Sequence, residues 1–200
     1  MYNIHVGDPM KEIAVSVRDI VELIYGSGNI STTKNLMERA KEGTEIHKLW
    51  QDKYLESDQK EVFCQIAHEE SSFSLTISGR IDGILNRDGV TILEEIKSTH
   101  LDLDMLEEDT IPSHFAQAKM YAYIYVVNND LKKLNVTLTY IHVDSHESRQ
   151  FARSFTKKQL ENFYNKTINK YINWQEQIFN HENERQKSIV GLEFPFEEYR

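Results

Sequence analysis

Three ionisable residues near the middle of the chain have the types and spacing of a site that handles phosphate esters: Asp82, Glu95 and Lys97. Between them lies Asp88-Gly89, the dipeptide favoured in two-residue type I′ hairpin loops. With that loop Arg87 faces Val90, opposed positions sum to 177, and the partner of Asp82 is Glu95. A four-residue loop over 86–89 would instead set Leu93 opposite Asp82. Lys97, two residues beyond Glu95, shares its face of the sheet. Two opposed carboxylates have Cβ atoms about 4.5–5.5 Å apart and repel one another. A divalent cation between them removes the repulsion and takes oxygen ligands readily. Lys97 adds positive charge beside the place where a phosphorane or an attacking hydroxide would sit.

Acidic and basic residues on one sheet face are most often a solvated surface. Here the flanking residues argue otherwise. Ile81, Ile84, Leu85, Ile92, Leu93 and Ile96 make both strands read as interior ones, and an unpaired charge buried in an interior strand is costly.

The elements that must position these residues follow from periodicity. Ser16 with Asp19 reads as a helix cap, followed by Val17, Ile20, Val21 and Ile24 at helical spacing and ended by Gly26 and Gly28. The N-terminal third reads as helical, with a second helix over 33–54. Residues 61–68, 73–86 and 90–99 are rich in Val, Ile, Thr and Phe and predict an antiparallel meander. A helix over 113–127, strands over 135–143 and 149–155, and a long helix from the Thr156 cap to about 185 complete the pattern. The expected fold is α/β: a mixed central β-sheet, an antiparallel meander plus further strands, flanked by helices.

Composition bounds the function. Two hundred residues suit one domain with, at most, a short extension. No apolar run approaches the ~18 residues of a membrane span. The single cysteine, Cys64, excludes an internal disulfide and a four-cysteine metal centre, and a reducing cytoplasmic setting is expected. The net charge of −9 argues against nucleic acid as a partner, but its distribution does not. Residues 149–170 hold Arg149, Arg153, Lys157, Lys158, Lys166 and Lys170 against one acid, Glu161. A basic strand and helix beside a carboxylate cluster would hold backbone in one place and metal in another.

The segments Gly79-Arg80-Ile81-Asp82-Gly83-Ile84 and Leu93-Glu94-Glu95-Ile96-Lys97-Ser98 resemble the metal-binding meander of PD-(D/E)xK nucleases. Gly43-Thr44-Glu45-Ile46-His47, followed by Gln51, and Gln117-Ala118-Lys119-Met120-Tyr121 resemble the flanking helix motifs of the RecB-like branch. The resemblance implies a restriction-endonuclease-like fold. It also implies Mg²⁺ or Mn²⁺ held by His47, Asp82, Glu95 and the main-chain carbonyl of Ile96. Lys97 would orient or activate the attacking water, and Gln117 and Tyr121 would position Lys97 and the DNA backbone. Glu94 is a second acid beside Glu95, and a regular strand points it to the opposite face.

The last ten residues, Gly191-Leu192-Glu193-Phe194-Pro195-Phe196-Glu197-Glu198-Tyr199-Arg200, resemble the segment leading into DinG/XPD-type DNA helicase motors. That likeness divides the chain into a nuclease domain over 1–186 and a linker or helicase start over 187–200. The expected partners are single-stranded DNA or DNA ends and a fused or cognate helicase, with no membrane. The alternative is a catalytically silent nuclease-fold module that binds DNA or protein.

Overall fold

The computed structural model describes residues 11–26, 33–70 and 73–190. Along the chain run β1 (Lys11–Ser16), α1 (Val17–Tyr25), α2 (Thr33–Gln51), β2 (Gln59–Glu69), β3 (Phe73–Arg87) and β4 (Val90–Thr99), followed by α3 (Pro112–Asn128), β5 (Lys133–His142), β6 (Ser148–Thr156) and α4 (Lys157–Val190). The six strands form one mixed sheet. α1, α3 and α4 share the main core with one face of it, and α2 packs Ile46 and Trp50 over Ile96 and Ile141 on the other. This is the mixed α/β architecture that the pattern predicts.

Local chemistry accounts for the element boundaries. Ser16 caps α1 by accepting from the Asp19 amide at 3.0 Å, and the Gly26 amide closes the helix on the Glu22 carbonyl at 2.9 Å. The Asp88-Gly89 turn has φ of 53° and 79°, the paired positive values a type I′ turn requires. α4 continues past 185 to Val190. Gly28 and the motor-like segment over 191–200 lie outside the described residues. No helix of the described residues is long and apolar enough to cross a membrane.

One expectation needs correcting. The N-terminal third is not wholly helical, because Lys11–Ser16 is a strand running parallel to Phe73–Ser78. Its alternating Ile13 and Val15 pack against the main core.

That strand has a consequence for β3. β2 pairs along β3 from Ser74 to Ile84, overlapping the stretches that pair with β1 (Phe73 to Ser78) and with β4 (Gly83 to Arg87). A strand has two edges, so β1 and β4 must share the edge that β2 leaves free. Between them Gly79, Arg80, Ile81 and Asp82 have no strand neighbour on that edge. The sheet forks there, and Asp82 stands at the fork.

Candidate active site

The alternation of β3 changes at Asp82. Phe73, Leu75, Ile77 and Ile81 enter the main core, and Gly79 lies beneath Tyr121 of α3. Past Asp82, Ile84 enters that same core, while Gly83 lies against Tyr54, just beyond α2. The facing position on β2 is Glu61, at φ 51°, a left-handed conformation uncommon outside glycine. Register runs from Lys60↔Gly83 to Val62↔Ile81 and skips the pair between. Buried Gln51 bridges the gap. Its Nε2 donates to the Asp82 carbonyl at 2.9 Å and to Glu61 Oε1 at 3.0 Å.

The twist frees the Asp82 side chain from the ladder. The 177 register holds from Arg87↔Val90 to Gly83↔Glu94 and stops there, one step short of Asp82 and Glu95. The Asp82 carboxylate instead takes the Ile96 amide on Oδ2 at 2.7 Å and stands 3.4 Å from His47 Nδ1 through Oδ1. α2 brings His47 there by passing over β4 at Gly43, where a Cβ would be in ordinary contact, 3.4 Å from Ser98 Oγ. Burial works to lower the His47 pKa, but the hydrogen bond and charge of Asp82 outweigh it, and the net shift is upward.

Glu95 and Lys97 face α3. Lys97 Nζ donates to Glu95 Oε1 at 2.8 Å and to Gln117 Oε1 at 3.0 Å. Tyr121, one turn beyond Gln117 on the same helix face, is buried with its hydroxyl over Gly79; a Cβ on Gly79 would stand 2.6 Å from it. Burial, followed by the Glu95 charge, raises the Tyr121 phenol, so it stays a donor. Glu95 is only 1 % exposed. Burial pushes its carboxyl up to about 7, with Lys97 opposing and Asp82 adding to the rise.

These donors suit a divalent cation. His47 meets Asp82, Glu95 lies near enough for both charges to act on it, and Glu95 Oε2 is buried with no hydrogen-bond partner. An orphan acceptor of that kind is unfavourable until something completes it. Among the described residues, no three His, Cys, Asp or Glu side chains are already gathered as a ligand cage. Asp82 is held by His47 and the Ile96 amide, and Glu95 by Lys97.

The remaining candidates lie apart from the fork. Arg149 donates to the Leu103 carbonyl at 2.8 Å, and Arg153 pairs with Glu108 at 2.6 Å, so both tie edge strand β6 to the acidic loop after β4. Lys157 stands 3.6 Å from Asp130 and Lys158 2.9 Å from Glu161, at the start of α4. His100 pairs with Glu42. His114 bonds Tyr140 at 3.0 Å, and burial, then Lys97, hold its imidazole down to about 3. Glu94 points away from Glu95 toward α2, as alternation requires. Glu61 is the site residue the sequence reading missed. Its left-handed backbone leaves no compositional trace in a strand of ordinary residues.

The sequence model of the PD-(D/E)XK nuclease superfamily matches residues 11–200. No curated protein matches the chain. Among solved structures, the chain is similar to SSO0001 at 18 % identity, covering 82 % of this chain and 78 % of that one with a TM-score of 0.46. It is also similar to a phage-related exonuclease from Haemophilus somnus 129PT at 11 % identity, covering 83 % and 82 % with a TM-score of 0.45.

Proposed function

The chain belongs to the PD-(D/E)XK nuclease superfamily, and we propose that it is a Mg²⁺- or Mn²⁺-dependent deoxyribonuclease that hydrolyses phosphodiester bonds in single-stranded DNA or at DNA ends. His47, Asp82 and Glu95, with the Ile96 carbonyl, would hold the ion. When bound, it supplies Lewis acidity and a water acidified toward neutral pH.

The chain's own residues divide the remaining work. Lys97 orients the attacking water and offers its ammonium to the charge that builds on the phosphorus oxygens as the new P–O bond forms and the old one breaks. Gln117 restrains that ammonium, and Tyr121 covers the fork where the scissile backbone would enter. Arg149, Arg153, Lys157 and Lys158 would contact DNA phosphates farther along the strand.

The observation that carries the reading is the unpartnered Glu95 Oε2, buried beside Asp82 and Lys97. Labelled single-stranded DNA with Mn²⁺ tests it. Asp82→Ala, Glu95→Ala and Lys97→Ala should each cut at least about 10²-fold more slowly while remaining folded. A trio as active as the parent refutes the assignment.

The wider setting belongs to the same proposal. The likeness of residues 191–200 to the segment leading into DinG/XPD-type motors supports a nuclease domain over 1–186, joined through 187–200 to a fused helicase or served by a cognate one.

A further inference from the structure

Glu94 takes no part in the cluster above, yet it is as enclosed as Glu95, each 1 % exposed. Its two oxygens collect donors from around the back of the sheet. Oε1 accepts from Thr139 Oγ1 at 2.5 Å, Trp50 Nε1 at 3.1 Å and Gln150 Nε2 at 3.3 Å. Oε2 accepts from Tyr54 Oη at 2.6 Å and from Trp50 Nε1 at 3.2 Å. Every one of these groups is neutral. Burial, then the Glu94 charge, raises the Tyr54 phenol, which keeps it a donor. An ion pair would tie Glu94 to one flexible chain; this set ties it to α2, to the turn after α2, to β5 and to β6.

A buried carboxylate so fully satisfied could be a fold element and nothing more. Its position argues for a larger role. Glu94 precedes Glu95 and lies on the opposite side of β4, so its anchor and the catalytic face share one short piece of backbone. Trp50 lies three residues from His47 and next to Gln51 on α2. Those two residues hold Asp82 by its carboxylate and its carbonyl.

We propose that Glu94 is a positioning residue: by fastening the last turn of α2 to the back of β4, it sets His47 and Gln51 against Asp82. Its importance for metal binding rests on the nuclease reading. The fastening itself is a property of the fold.

The test is titration of Mn²⁺ into the parent, Glu94→Gln, Trp50→Phe, His47→Ala and the Glu94→Gln/His47→Ala double variant, with hydrogen exchange followed over α2. Glu94→Gln should weaken Mn²⁺ about 10–100-fold, the usual effect of losing an outer partner of a metal ligand. Trp50→Phe keeps the carboxylate charge and removes one donor, so a smaller loss in the same direction reports geometry and not charge. It also carries the test should Glu94→Gln fail to fold. The double variant should bind no more weakly than His47→Ala alone. Parent-like affinity in Trp50→Phe, or losses that add in the double variant, would overturn the proposal. A parent that takes up no Mn²⁺ would refute the nuclease reading; exchange over α2 would then decide the fastening, with faster exchange in both variants supporting it and unchanged exchange overturning it.

Discussion

The backbone amide of Ile96 donates to the Asp82 carboxylate at 2.7 Å. A side chain therefore does what a ladder carbonyl would have done where β3 and β4 part. The same carboxylate faces His47, so the fork is held by the group that is proposed to bind metal.

This double duty separates two substitutions. Asp82→Asn keeps a carbonyl oxygen for the Ile96 amide and should fold with near-parental stability. Asp82→Ala leaves that amide buried and unpaired, at a cost of about 1–3 kcal/mol. Urea unfolding of the metal-free proteins measures the difference; equal stabilities would show that the Ile96 bond contributes nothing.

The raised Glu95 pKa predicts a pH dependence of opposite sign to the usual carboxylate. Its folded value of about 7 lies above the ordinary 4.5. The contribution of this group to stability is thus fully present below about pH 4.5 and is lost as pH rises through about 7. Metal-free parent should lose melting temperature between about pH 4.5 and pH 7 relative to Glu95→Gln, a comparison that removes the other titrating groups to first order. Parallel curves for the two proteins would contradict the buried, unpartnered environment.

Gly79 and Tyr121 should be energetically coupled. A Cβ at Gly79 would stand 2.6 Å from the Tyr121 hydroxyl and 2.7 Å from its ring. Gly79→Ala should therefore cost about 1–3 kcal/mol by overpacking and much less in a Tyr121→Ala background. A double-mutant cycle by denaturant titration reads the coupling; additive losses would place the tyrosine elsewhere.

The edge cations should act on DNA and not on metal. Alanine at Arg149, Arg153, Lys157 or Lys158 should weaken DNA binding across sequences, and each cation removed should lower the salt slope by about 1. Mn²⁺ affinity should not move. Binding that survives all four substitutions would take DNA away from this edge.

The β3–β4 hairpin and the helix face above it were legible in the sequence, for physical reasons. A two-residue turn with two positive φ values is specified by Asp88-Gly89, and side-chain alternation then separates Glu95 from Glu94. Helix spacing puts Gln117 and Tyr121 on one face. β1 was not legible: it is six residues long, its partner lies some sixty residues away, and its last residue is also the cap of α1. Nor was the reversal at Asp82, which depends on the backbone of Glu61 and on Gln51 reaching across two strands. Nor was the Glu94 anchor, which depends on Trp50 and Tyr54, four apart on α2 and the turn that follows it, both donating to one carboxylate.

The most direct test of the central claim is isothermal titration of Mn²⁺ into the parent and into Asp82→Asn, a variant chosen to keep the Ile96 bond and hence the fold. Binding in the parent that is lost in Asp82→Asn, together with loss of single-stranded DNA cleavage, is the predicted result. A folded parent that neither binds Mn²⁺ nor cleaves would contradict it and leave the fork as a scaffold for binding alone.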